Sequence, residues 1–190
     1  MKRTCLILAL ALAACSPPSQ HNTGKADIPP TQAAAQTGCN GQTSHDWSAV
    51  GSQYYSVEAE ASGPTCADAR ATVRIKARDG SVLFERSYQV NQVSLAFNPT
   101  DDQTGLREDL EGWVSNTAEK PTADWLPAWP GGAQRPPGFT PSVTRAQYES
   151  FRGAQGPLFC YPDGGESNAC VGMQGDHATF LGSLTPQRAG

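Results

Sequence analysis

The chain has 190 residues, a formal net charge of −4 and 38% hydrophobic residues. A mildly acidic chain without a basic run lacks the clustered positive face of a nucleic-acid-binding protein, so no nucleic-acid partner is expected. The length suits one domain with a substantial core, since domains most often hold about 100 to 150 residues.

Lys2 and Arg3 open residues 1–14, and an apolar run follows from Leu6 to Ala14. A bilayer takes roughly 20 apolar residues to cross, so this shorter run reads as a processed signal rather than a membrane helix. It ends in Leu12, Ala13, Ala14 and Cys15, and this tetrad resembles the lipobox of bacterial lipoproteins. The resemblance implies cleavage before Cys15, a lipid on its thiol, and acylation of the new amino group. The first partner it implies is therefore a membrane. Each buried methylene contributes about 0.8 kcal/mol, so one acyl chain binds marginally whereas two or more hold the protein in place. Ser16 stands where lipoproteins kept in the inner membrane often carry aspartate. The resemblance therefore points to the outer membrane, facing the periplasm. Cleavage also removes Lys2 and Arg3 from the 14 basic residues, leaving 12 against 18 acidic ones and a mature charge of −6.

Residues 15–38 comprise Cys15 and a segment with two Pro-Pro pairs, many small polar residues and one large apolar side chain, Ile28. Such a segment buries too little surface to offset its ordering entropy and is expected to act as a tether. As a coil it would reach roughly 25 to 30 Å. A single periplasmic domain is expected over 39–190. Cys5 is lost with the signal, which leaves Cys39, Cys66, Cys160 and Cys170. An even number in an exported chain reads as two disulfides with three possible pairings. Cys39 with Cys66 and Cys160 with Cys170 are favoured, because each pair is near in sequence and brackets a loop or hairpin. A four-cysteine zinc site is the competing idea, and no C-x-x-C spacing supports it.

Regular elements begin with Gln53–Ser62, where Tyr55, Val57, Ala59 and Ala61 alternate with polar residues as in a half-buried strand. Arg70–Arg78 repeats the period and ends at Asp79-Gly80, a two-residue hairpin signal. Counting outward from that turn places Ala77 against Val82, Ile75 against Phe84, Ala71 against Tyr88, and Arg74 against Glu85. Arg86 then falls opposite Val73 on the apolar face, either at an edge where its guanidinium reaches water or as a binding residue. Val93–Phe97 alternates again and predicts a further strand. Leu106, Leu110, Trp113 and Val114 form one stripe of an amphipathic helix, with Thr104 as its cap. The segment Trp125–Pro141 carries too much proline and glycine for regular structure. Thr144–Gly153 has a Thr-x-x-Gln capping box and predicts a short helix ending at Gly153. Strands return at Pro157–Tyr161, around Ala169–Met173, and at His177–Leu184. The expected fold is thus α+β, an antiparallel sheet of about six strands with two short helices in a central insertion and two disulfides.

Candidate chemistry is sparse. His45 and His177 adjoin Asp46 and Asp176, and a hydrolase would draw its base from one of them, since His21 lies in the tether. There is no G-x-S-x-G elbow, HExxH motif or phosphate loop, so no catalytic residue is assigned and no enzyme is expected. Asp163 and Glu166, with Gly164 and Gly165, form an acidic turn without the alternating spacing of a calcium loop, so no metal or cofactor is assigned. Trp125 and Trp129, braced by Pro127 and Pro130, are the best binding candidates, either stacking on a glycan or anchoring an envelope protein. The alternative is that both indoles fold back as a satellite core. The expected function is that of a non-catalytic, membrane-anchored binding module. In compartment and class such a protein is similar to the membrane-bound inhibitors of c-type lysozyme, also lipoproteins with a small disulfide-bearing β-fold. No functional residue carries over from them.

Overall fold

A computed structural model describes residues 38–48, 54–115, 121–132 and 134–185. The signal, Cys15, His21 and the tether lie outside these described residues, which all fall within one compact unit. The fold is α+β, and the described residues form eight strands in two antiparallel four-stranded sheets instead of about six in one. Sheet 1 runs in chain order through β1 (Cys39–Ser48), β2 (Tyr54–Gly63), β3 (Arg70–Ala77) and β4 (Val82–Gln89). Helix α1 (Gln103–Val114) leads to sheet 2, formed by β5 (Phe139–Pro141), β6 (Leu158–Pro162), β7 (Asn168–Gln174) and β8 (His177–Leu184) in the order β5-β8-β7-β6. Helix α2 (Arg145–Ala154) joins β5 to β6, so only α1 lies between the sheets in the chain.

Three expectations about strands change. β1 has no obvious apolar alternation, yet it pairs with β2 over its whole length and buries Cys39 and Trp47 at its two ends. Val93–Phe97 is not a strand. The amides of Ala96 and Phe97 bond back to the Val93 carbonyl, and this turn buries Val93 and Phe97 while Leu95 faces solvent. β5 is three residues long and was hidden in the proline-rich segment.

The β3–β4 register is as counted from Ala71–Tyr88 to Ile75–Phe84, but the turn differs. The Gly80 amide bonds to the Ala77 carbonyl and the Ala77 amide to the Ser81 carbonyl, which leaves Arg78, Asp79 and Gly80 as a three-residue loop. Gly80 takes φ +87°, the left-handed position such a loop needs. A shift between Ile75 and Lys76 places Lys76, and not Ala77, opposite Val82. The longer loop and the bulge displace the pairing by one residue each and cancel, so the core face is preserved.

The helix ends also differ from expectation. α1 is capped by Asp102, whose carboxylate accepts from the Thr104 and Gly105 amides, so Thr104 lies inside the helix. α2 has the Thr144–Gln147 capping box, but its left-handed closing residue is Gln155, past Gly153. Both favoured disulfides are present, Cys39–Cys66 and Cys160–Cys170.

Two cores hold these layers. The first joins the inner face of sheet 1 (Val57, Ala59, Val73, Ile75) to α1 and to Phe159, Tyr161, Val171 and Met173 of sheet 2. Trp113 sits at its centre, edge-on to Phe97, Tyr88 and Tyr161, and its indole N–H donates to the Pro162 carbonyl at 2.8 Å. The second core lies on the opposite face of sheet 2, where Leu158, Cys170 and Leu181 meet Tyr148, Phe151, Ala123 and Leu126. β6 and β7 are therefore buried on both faces, which explains their near-continuous apolar composition. The outer face of sheet 1 is polar. Arg74 bonds to Glu58, Glu60 and Glu85, and Lys76 bonds to Glu58, so these charges satisfy one another.

Candidate functional site

The two tryptophans singled out by sequence are used differently. The segment around Trp125 is pinned at both ends. The Ala123 amide bonds to the Gly156 carbonyl and the Leu158 amide to the Pro121 carbonyl, which fasten it to the start of β6. α2 then donates to its outward carbonyls, with Arg152 Nε to Leu126 O at 2.9 Å and the Tyr148 hydroxyl to Pro127 O at 2.8 Å. Burial pushes the Tyr148 phenol up to about 12, so it stays a donor at any physiological pH. The short 3₁₀ turn Ala123–Trp125 buries Ala123 and Leu126 and turns Trp125 outward, leaving it 62% exposed. Trp129 instead packs on the second core, edge-on to Tyr148 at 5.4 Å, with the Arg145 guanidinium 6.0 Å from its ring centre. One indole is thus a surface group and the other a satellite of the core.

Trp125 forms one wall of a groove of about 490 Å³ whose other lining is Pro127, Pro137, Gly138, Asn168, Leu184 and Thr185. Three strands bring these residues together. Asn168 begins β7, Leu184 ends β8 opposite it, and Phe139 of β5 pairs with Leu184 from the other side. The Thr185 amide bonds to the Gly138 carbonyl and closes the end of the sheet. Among the described residues, no charged one lines the groove. The Trp125 indole N–H, the Asn168 carboxamide and the Thr185 hydroxyl make no hydrogen bond to another described residue. Sequence reasoning found Trp125 and missed Asn168, Leu184 and Pro137, because only the pairing of β5, β7 and β8 brings them together.

Arg86 stands on β4, an outer strand of sheet 1, opposite Val73 as counted. Its guanidinium lies 4.3 Å over the Phe180 ring of β8 and 5.6 Å from that of Tyr88. The Phe180 contact ties the two sheets together, while Tyr88 lies on the same strand as Arg86. His45 and Asp46 point to opposite faces of β1, so sequence neighbours are not partners here. His45 Nε2 lies 2.7 Å from Glu111 Oε1 of α1, and the Thr43 hydroxyl donates to the other oxygen of the same carboxylate. The Thr43 bond and the nearby imidazole hold the Glu111 carboxyl below the usual range. Hydroxyl and imidazole thus both reach one carboxylate, an arrangement that links α1 to β1. His177 is exposed at the β7–β8 turn, opposite Gln174. Burial, with the Asp176 charge second, pushes the Tyr55 phenol up, and its hydroxyl donates to the Gly175 carbonyl at 2.7 Å.

In the acidic turn, Asp163 accepts from the hydroxyls of Ser167 and Ser183. No cluster of three or more His, Cys, Asp or Glu side chains suited to a metal occurs among the described residues. No helix among them is long and apolar enough to cross a membrane. The chain matches no protein-family model, and neither the curated proteins nor the solved structures compared with it give a significant match.

Proposed function

We propose that the chain is a cell-envelope lipoprotein, anchored through acylated Cys15 at the outer membrane and facing the periplasm, whose folded region is a non-catalytic binding module. The groove beside Trp125 is its contact site. The observation that carries this reading is a large aromatic side chain held 62% exposed by a bonded, proline-braced segment, over a groove whose described lining residues are uncharged. A single exposed apolar residue is ordinary. Here three donors from α2 immobilise the backbone that presents it, which lowers the entropy lost on binding. The hydrolase alternative draws less support, because the Thr43 hydroxyl donates to Glu111 and not to the His45 imidazole, and His177 is exposed at the β7–β8 turn.

Two measurements test the proposal. Intact mass of membrane-extracted protein should show a chain beginning at Cys15 with added acyl mass and four further cysteines protected until reduction. A soluble chain without lipid removes the anchor. Trp125→Ala should change the melting temperature by less than about 2 °C, since exposed sites contribute within about 0.5 kcal/mol. It should also abolish binding to envelope material. A large loss of stability with binding intact would show the indole to be structural.

A further inference from the structure

Building on the binding-module reading, we propose that the Trp125 groove takes a neutral pyranose unit of an oligosaccharide. Its volume, about 490 Å³, falls within the roughly 300 to 1,000 Å³ of small-molecule sites. A protein interface spreads over about 800 Å² on each partner and centres on several buried anchors, whereas here one indole is presented. Charge narrows the class further. Among the described residues, none that lines the groove carries a cation to pair with a uronate, sialate or phosphate, nor a carboxylate to pair with an amino sugar.

What remains matches the two-sided chemistry of a pyranose ring. One face of such a ring is a patch of axial C–H groups, which packs on the flat, electron-rich face of an indole. Its edge is a row of hydroxyls, each able to donate and accept. The groove offers Trp125 as the aromatic wall and Pro127, Pro137 and Leu184 as apolar surface. Asn168 supplies a carboxamide with both donor and acceptor, and Thr185 a hydroxyl that can reverse its role. None of these polar groups is engaged by another described residue. An apolar peptide would leave that carboxamide covered and unsatisfied, at a cost that a sugar hydroxyl avoids.

The test is titration of the ¹⁵N-labelled full chain with the neutral tetramers of β-1,4-linked N-acetylglucosamine, cellotetraose and maltotetraose. Trigalacturonate serves as the charged control. At least one neutral sugar should shift the Trp125 indole N–H signal saturably. Trp125→Ala should lose the binding, Trp125→Phe should retain part of it, and Asn168→Ala should weaken it about tenfold, as expected for one lost polar contact. Circular dichroism melting checks that each variant is folded. Absence of any saturable shift, an unchanged affinity in Trp125→Ala, or equal binding of trigalacturonate would overturn the proposal. Failure of the wider reading is separable. If no sugar binds but Trp125→Ala removes crosslinking to an envelope protein, the module stands without the glycan; if Trp125→Ala alters neither, both fall.

Discussion

Single residues decide how closely the layers approach, and Gly182 shows this most directly. It sits in β8 between Pro141 of β5 and Cys170 of β7, with φ +143°. A Cβ there would lie 2.2 Å from the Thr140 carbonyl oxygen and 2.9 Å from the Phe139 ring. Both the backbone angle and the contact oppose any side chain. Gly182→Ala is therefore expected to cost roughly 3 kcal/mol in urea unfolding and to loosen β5, which borders the Trp125 groove. Wild-type stability in that variant would mean that β5 does not pack there. Nothing in the local sequence marks Gly182 among 19 glycines, because the constraint comes from a strand more than 40 residues away. Trp125 is the opposite case. Its proline-rich neighbourhood left two readings open, a presented surface loop or a satellite core under both indoles, and Trp129 beside it gave no local sign that it alone would pack half-buried on Tyr148.

Elements were legible where local chemistry and tertiary packing agree. The alternation in β2 and β3 and the stripe of α1 could be read directly, because each buries one face. β1 could not, since its inward positions include Gly41, Thr43 and His45, and it is completed by a carboxylate from α1. Val93–Phe97 misled for a related reason, as a five-residue turn buries Val93 and Phe97, two of the three residues that a strand's alternation would. Caps give a test at this scale. Asp102→Ala and Thr144→Ala should each cost about 1 kcal/mol, whereas Thr104→Ala should cost a few tenths, because Thr104 is not the cap. Equal effects at Asp102 and Thr104 would refute that assignment. The disulfides give another. Cys39–Cys66 closes a separation of 27 residues and Cys160–Cys170 one of 10. On the chain-entropy model, replacing the first pair with alanine should cost about 3.6 kcal/mol and the second about 2.8. Thermal melts of the two double variants would show the order, and a reversed order would mean that native packing outweighs loop length.

For the molecule as a whole, charge sets the response to acid. Hydrogen bonding and charge from Arg74 hold the Glu60 carboxyl low, and Thr43 with His45 does the same for Glu111. A carboxylate with a folded pKa below its unfolded value contributes stability that is fully present above the unfolded value and disappears as pH falls through the folded one. The melting temperature should therefore begin to fall below about pH 4.5, the ordinary glutamate value. Asp109 acts in the reverse sense, since burial raises its carboxyl, and protonation there partly offsets the loss. Glu60→Gln should flatten the acid limb of the curve without moving the pH at which Glu111 contributes. An unchanged limb would show the Arg74 cluster to be energetically silent. The overall architecture was only partly visible beforehand. One apolar face per strand suggested a single sheet, and the clue to two sheets was the continuous apolar character of β6 and β7, which face a core on each side.

The position of the first disulfide carries a mechanical consequence. Cys39 begins β1 at the margin of sheet 1, opposite Gly63, and is bonded to Cys66 in the β2–β3 connection three residues beyond. Tension arriving along the chain from residues 1–38 meets the fold at that point. Without the bond, β1 would peel from β2 one rung at a time, the way a zipper yields to a small pull. With it, the load crosses the sulfur bridge and is shared by two strands at once, so a pull on the chain ahead of Cys39 reaches the fold at a covalently reinforced joint.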